Sequence, residues 1–145
     1  MFRQVSLMNK YKFNLFLSFI FFLLFSKNSF ANYFFCKSYL GPNYDKAFIF
    51  ENEKVKSIAI VNENNKLKID KNFGDDQYSF KFGKVRWGEY KPYKFSLDRV
   101  HLTLLDFTSP NHLSNRYQCY KLKGIEYIDI NMNLSLDLTQ KKMKR

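Results

Sequence analysis

The sequence lacks most of the patterns that mark common enzymes. Its 145 residues include only two cysteines and two histidines, and they contain no Cys-x-x-Cys pair, no glycine-rich phosphate loop and no hydrolase or metalloprotease signature. Neither His101 nor His112 has ligand-like spacing to a cysteine, so we expect no metal and no cofactor. The length allows a single domain, which excludes a repeat array, a doubly wound fold with a second domain and a polytopic membrane protein.

Acidic residues are absent from the first 31 positions. Arg3, Lys10 and Lys12 precede an apolar run over residues 13–25, and small residues stand at positions 29 and 31. This order is typical of a secretory signal peptide, which predicts cleavage between Ala31 and Asn32, with translation starting at Met1 or Met8. A membrane anchor is the alternative, but the run is shorter than the roughly 20 residues that a spanning helix needs.

The formal charge of +11 is concentrated at the two ends of the chain. Four basic residues belong to the predicted leader, and four more form a basic tail over residues 141–145, namely Lys141, Lys142, Lys144 and Arg145. The intervening body, residues 32–140, has a net charge of only about +3. The charge distribution therefore removes the main argument for a nucleic-acid partner.

Cys36 and Cys119 are the only cysteines, and they lie near opposite ends of the body. In an oxidising compartment an even number of cysteines favours pairing. We therefore predict a disulfide between them, with two free thiols as the alternative.

The body alternates apolar and polar residues between turn signals, which is typical of β-strands. The predicted strands cover residues 33–40, 46–50, 55–61, 67–69, 78–82, 85–87, 95–107 and 116–122. A turn is expected at residues 73–76, which contain Gly74. Residues 128–139 alternate most strictly and are predicted as a further, amphipathic strand. The fold class is thus all-β, a small antiparallel barrel or sandwich of about eight strands that the disulfide closes.

Few side chains are placed for catalysis. The Asp75-Asp76 pair reads as a solvated turn, and a strand would put Asp98 on the opposite face from His101. Ser109 and His112 are close in sequence but lack a supporting pattern. We predict no catalytic residues and a protein that is not an enzyme.

One stretch, residues 80–99, interleaves basic and aromatic residues, a combination that can stack sugars or hold anionic groups. Its part around residues 87–93 reads as a loop, where exposed aromatics are candidates for ligand contact. In the alternative interpretation the aromatics face the core and the cations are their solvated neighbours. The candidate ligand surface consists of Lys84, Arg86, Trp87, Tyr90, Lys91, Tyr93 and Lys94.

These patterns predict an exported, periplasmic or secreted, binding or envelope protein. Its ligand would be an anionic surface, a carbohydrate, a small amphiphile in the mouth of a barrel or a protein of the envelope. Small disulfide-closed envelope barrels that inhibit lysozyme are similar in size and cysteine placement, which is a similarity of class without matching motifs. A structural envelope protein held by its basic tail is a further alternative.

Overall fold

The structure is a computed structural model that describes residues 31–89, 93–108 and 116–145. The predicted leader up to residue 30 lies outside the described residues, so its cleavage stays a prediction. Ala31 and Asn32, which flank the predicted cleavage site, are described, and Asn32 is the first residue of the first strand.

The described chain forms eight antiparallel strands that close into a barrel in sequence order. The strands are β1 (Asn32–Ser38), β2 (Lys46–Glu51), β3 (Lys54–Glu63), β4 (Lys66–Lys81), β5 (Lys84–Trp87), β6 (Phe95–Asp98), β7 (Thr103–Asp106) and β8 (Arg116–Leu122). A short 3₁₀ turn, Pro42–Tyr44, connects β1 to β2. The all-β prediction is confirmed, and of its two forms the structure is the barrel.

Three of the hairpins are connected by two-residue turns with positive φ at both positions. The turn residues, with φ between 50° and 73°, are Asn52 and Glu53, Asn64 and Asn65, and Phe82 and Gly83. This type I′ geometry matches the right-handed twist of the flanking strands, and Asn and Gly tolerate it best. The predicted strands are also separated at these three points, so the turn positions agree with the sequence analysis.

Two strand boundaries differ from the prediction. The turn expected at residues 73–76 lies inside β4, where the register with β3 shifts between Ser57 and Ala59. Gly74 and the acidic pair therefore mark an irregularity in one long strand. The predicted strand over residues 95–107 is in fact the hairpin of β6 and β7, because Asp98 accepts hydrogen bonds from the N–H groups of Val100 and His101 and stabilises a turn.

The predicted C-terminal strand is wrong, because residues 128–139 belong to a helix, α1 (Ile125–Met143). Glu126 lies in its first turn and Lys141 and Lys142 in its last, which suits the helix dipole. The first two lysines of the predicted basic tail are thus helical. The body is a barrel with one flanking helix.

Two apolar clusters lie on the two sides of the barrel wall. Inward-facing side chains fill the interior, among them Phe48, Trp87, Phe95, Leu97 and Leu104, all at most 2% exposed. On the outer face, Ile128 and Met132 of α1 pack on Phe35, Ala47, Ile49 and Ile58 of β1–β3. These three strands therefore pack apolar side chains on both faces, against the barrel interior on one side and against α1 on the other.

The predicted disulfide is confirmed. Cys36 of β1 and Cys119 of β8 are directly paired in register and bonded to each other inside the barrel. Because β1 and β8 are the strands that close the barrel, the covalent bond lies on the closing seam.

Candidate ligand site at the barrel mouth

One end of the barrel, where β1 begins and β8 ends, has an open mouth with a cavity of about 350 Å³. Such a volume is at the lower end of the range for small-molecule sites. The cavity is lined by Asn32, Phe34, Phe50, Tyr78, Phe80, Val85, Leu97, Arg99, Leu102 and Lys121. The lining is mostly aromatic and aliphatic, with polar groups from the ends of three strands.

Strand alternation explains why these residues converge. Phe34 lies two positions from inward-facing Cys36, and Lys121 lies two positions from inward-facing Cys119. Since successive side chains of a strand point to opposite faces, both share the inner face with the disulfide. Closure of the barrel then brings them together, although 87 positions separate them in the sequence.

The charged residues that line the mouth are both basic, Arg99 and Lys121, and none of the described lining residues is acidic. The guanidinium of Arg99 lies 5.3 Å from the centre of the Phe80 ring, a cation–π distance. Both basic side chains are exposed, so their charge faces water at the mouth. The arrangement combines an apolar cavity with a positive rim.

The opposite end of the interior holds a compact polar group. The Lys46 ammonium donates a hydrogen bond to the Tyr117 hydroxyl at 3.1 Å and lies 3.8 Å from an Asp106 carboxylate oxygen. Burial lowers the pKa of Lys46, partly offset by the Asp106 charge, while burial and that same negative charge raise the pKa of Tyr117. These groups occupy the interior that the mouth cavity does not reach.

Asp45 connects the helix to the barrel. Its carboxylate is 1% exposed and accepts hydrogen bonds from the Ser38 backbone N–H at 2.8 Å and the Ser135 hydroxyl at 2.7 Å. Burial raises the pKa of Asp45 above its ordinary value, although both hydrogen bonds and the nearby Lys37 and Lys46 oppose that effect.

A larger groove of about 520 Å³ lies between the end of α1 and the β3–β4 hairpin, and it reaches Lys46 at the end of the barrel opposite the mouth. Its lining mixes Asp45, Lys46 and Lys142 with asparagines and scattered apolar residues. Because charges of both signs line it, the groove has no clear chemical preference. The mouth is therefore the better candidate site.

Trp87, the central residue of the predicted ligand surface, lies in the core and not on a loop. It is 2% exposed and packs against Phe48, Phe50 and Phe95 with ring centres 5.0–5.3 Å apart. It is the last residue of β5 and lies on the inner face. The prediction that Trp87 is exposed on a ligand surface is therefore wrong. For Trp87 the alternative interpretation, an aromatic that faces the core, is the correct one.

Four of the other predicted surface residues have described positions, namely Lys84, Arg86, Tyr93 and Lys94. Lys84 and Arg86 alternate with inward-facing Val85 and Trp87 and so belong to the outer face of β5. The Arg86 guanidinium lies 4.7 Å from the Tyr93 ring centre. The Lys94 ammonium lies 5.2 Å from the Phe73 ring centre. Tyr90 and Lys91 lie outside the described residues.

His101 lies on the β6–β7 turn with its side chain 76% exposed, and its Nδ1 is 3.3 Å from an Asp98 oxygen. Hydrogen bonds from the backbone and the side chain of His101 lower the pKa of Asp98. Asp98 and His101 can approach each other because β6 ends at Asp98 and the chain turns there. His112 lies outside the described residues. Among the residues with described positions, no three His, Cys, Asp or Glu side chains group as metal ligands.

Sequence reasoning found part of the mouth and missed the rest. Phe80 and Arg99 are the two ends of the basic and aromatic stretch, and both line the cavity. Phe34 and Lys121 were missed as site residues, because their signal is only their shared alternation with the two cysteines. Given the disulfide, the inward positions two residues before Cys36 and two residues after Cys119 could have been assigned to one end of the barrel.

The chain matches no protein-family model, and no curated protein or solved structure is significantly similar to it. Within the described part of the chain, no helix is long and apolar enough to span a bilayer.

Proposed function

We propose that this protein is an exported, non-enzymatic binding protein that takes a small amphiphile with an anionic head group into the mouth of its barrel. The observation that carries the proposal is the mouth itself, an apolar cavity whose charged lining residues are Arg99 and Lys121. The hydrocarbon part of such a ligand would contact Phe34, Phe50 and Leu97. Its head group would lie at the rim, where exposed cations keep their solvent contact.

Two features support export. The basic start, short apolar run and small residues before Asn32 are typical of a signal peptide, and the disulfide suits an oxidising compartment. Cleavage after Ala31 would also leave every described strand intact, because β1 begins at Asn32.

Binding is tested by titrating the purified, oxidised protein with decanoate and with decyl glucoside, both below their micelle concentrations. Calorimetry measures the affinity. Fluorescence of Trp87, the single tryptophan, reports changes near Phe50, with which its ring is in contact. We expect decanoate to bind at least about 10-fold more tightly than decyl glucoside, a difference of roughly 1.4 kcal/mol.

The double variant Arg99→Gln/Lys121→Gln removes the rim charges and should reduce that preference to near unity. The matched control, Lys56→Gln/Arg116→Gln, removes the same two charge types from exposed strand positions outside the mouth and should leave it unchanged. Equal decanoate binding by wild type and rim variant would exclude the anionic head group. Absence of binding for both amphiphiles would exclude the mouth as their site.

A second candidate function is attachment to anionic envelope surfaces through the C-terminal basic residues. All four, Lys141, Lys142, Lys144 and Arg145, are exposed. Their change to glutamine should abolish sedimentation with phosphatidylglycerol vesicles if these residues carry the attachment. Unchanged sedimentation of that variant would exclude them.

A further inference from the structure

The helix α1 has a second apolar face that no described residue covers. Its buried face carries Ile128, Met132, Ser135 and Thr139. At about 100° per residue, a different side of the helix carries Tyr127, Ile130, Leu134 and Leu138, which are 41%, 62%, 57% and 43% exposed. We call these four residues the outer stripe.

The outer stripe is continuous, since its members are three or four positions apart and so lie one above the other along the helix. Single exposed apolar residues are ordinary, but an aligned row of large ones marks an interaction site. Because the rest of the exposed helix surface carries mostly polar side chains, the outer stripe would be the contact face.

The charges along α1 indicate which partner fits. Glu126 and Asp129 lie at its beginning, where Asp129 is already paired with Lys71 at 2.7 Å, and Lys141, Lys142, Lys144 and Arg145 lie at or just beyond its end. A second copy of the helix in antiparallel orientation would separate the two basic ends and bring each of them to the beginning of the other helix, where Glu126 lies. A parallel copy would place like charges together, so the charge polarity selects the antiparallel pair.

The spacing of the stripe is symmetric enough for such a pair. Leu134 is the middle residue of the 19-residue helix. A two-fold axis through Leu134 places Ile130 opposite Leu138 of the second copy. The same axis places Tyr127 opposite Lys141, which brings the Lys141 ammonium beside Glu126 of the second copy.

We propose that the outer stripe is the interface of a homodimer in which two α1 helices pack antiparallel about Leu134. The interface is self-complementary, as two-fold symmetry requires. One helix face buries little area, below about 1,200 Å² in total, so the dimer is of the weak, concentration-dependent kind.

Association is measured by analytical ultracentrifugation of the oxidised protein at concentrations up to about 1 mM. We expect a concentration-dependent dimer for the wild type. Leu134→Glu places two carboxylates at the two-fold axis and should weaken association at least 10-fold, whereas the control Gln140→Glu adds the same charge on another exposed side of the helix and should not. Circular dichroism and urea unfolding verify that both variants are folded.

Two further experiments test the geometry itself. Leu134→Cys should form an intermolecular disulfide under mild oxidation, because the two thiols meet at the axis, and Gln140→Cys should not. Lys141→Glu should weaken the dimer, and Glu126→Lys combined with Lys141→Glu should restore it.

A wild-type protein that stays monomeric over the whole concentration range overturns the proposal. So does a dimer that Leu134→Glu leaves intact, since the contact would then be elsewhere. Binding of the monomer to lipid vesicles that is lost in Leu134→Glu would assign the stripe to a membrane surface and would equally overturn the dimer.

Discussion

Asp45 shows how one buried carboxylate connects two parts of the molecule. Its two oxygens accept hydrogen bonds from Ser38, at the end of β1, and from Ser135, on α1. The carboxylate thus joins the helix to the barrel through polar contacts inside an otherwise apolar contact surface. Its raised pKa means that the folded state keeps the proton to higher pH than the unfolded chain does.

We expect Asp45→Asn to change how stability depends on pH. Between the ordinary Asp pKa and the raised folded value, the folded wild type binds more protons than the unfolded chain, so its stability falls as pH rises through this window. Asn cannot titrate, but its side chain can still accept from Ser38 and bond to Ser135. Urea unfolding at pH 4 and pH 7 should therefore show the variant gaining stability relative to wild type at the higher pH.

The comparison between variant and wild type removes contributions from groups that both share, including Lys37 and Lys46. Ser135→Ala is the control, because it deletes one hydrogen bond and keeps the carboxyl. A stability difference between Asp45→Asn and wild type that is the same at both pH values would contradict the prediction.

Trp87 contributes mainly to packing. Its ring contacts three other aromatic rings inside the barrel. We expect Trp87→Ala to lower the free energy of unfolding by about 3–5 kcal/mol through the lost contacts and the cavity. Tyr39 is 71% exposed and serves as the control. Tyr39→Ala should change the free energy of unfolding by less than about 0.5 kcal/mol. A Trp87→Ala variant as stable as wild type would contradict the buried placement.

At the scale of elements, α1 shows why strict alternation misled the strand prediction. Apolar residues at every second position also include two sets with helical i, i+4 spacing. The set of Ile128 and Met132 is buried against the barrel, and the set of Ile130, Leu134 and Leu138 forms the exposed outer stripe. The end signals, Glu126 near the start and the lysines near the end, favour a helix.

Two single substitutions distinguish helix from strand. In α1, Met132 is 1% and Ile130 is 62% exposed, so at dilute protein concentration Met132→Ala should cost about 2–5 kcal/mol and Ile130→Ala far less. In a strand both residues would face the same side. Equal losses of unfolding free energy in chemical denaturation would therefore contradict the helix.

At the scale of the whole molecule, closure of the barrel determines the properties that matter for binding. Pairing of β1 with β8 removes both sheet edges, which would otherwise be open to pairing with other chains. The disulfide lies on that seam, so it covalently connects the first strand to the last.

Loss of the disulfide should destabilise the protein strongly. Cys36→Ser/Cys119→Ser frees a loop spanning 83 positions, and on the loop-entropy argument the unfolded chain gains about 4 kcal/mol of conformational freedom. Urea unfolding of the variant and of wild type measures the difference. A variant that unfolds at the wild-type midpoint would contradict the estimate.

Mass spectrometry of the exported protein tests the processing and the bond together. The mature chain should begin at Asn32, and its mass should rise by two hydrogen atoms after reduction. A retained leader, or two titratable thiols before reduction, would contradict the export prediction.

Much of the fold could be predicted because strands and hairpins depend on neighbouring residues. Alternation identified most strands, an asparagine or a glycine marked each of three turns, and two cysteines left one intramolecular pairing. Nine strand segments were predicted against eight observed strands, because only two of the three errors cancelled. The two halves of β4 were separated, β6 and β7 were joined, and α1 was counted as a strand.

The candidate site depended on contacts between distant residues. Phe34, Arg99 and Lys121 meet only because the first and last strands pair and close the barrel, and Trp87 is buried because closure encloses the inner face of β5. Local patterns encode which side chains share a face of a strand. Which face becomes the interior, and which side of α1 remains exposed, was decided by the packing of the whole chain, because burial depends on every element at once.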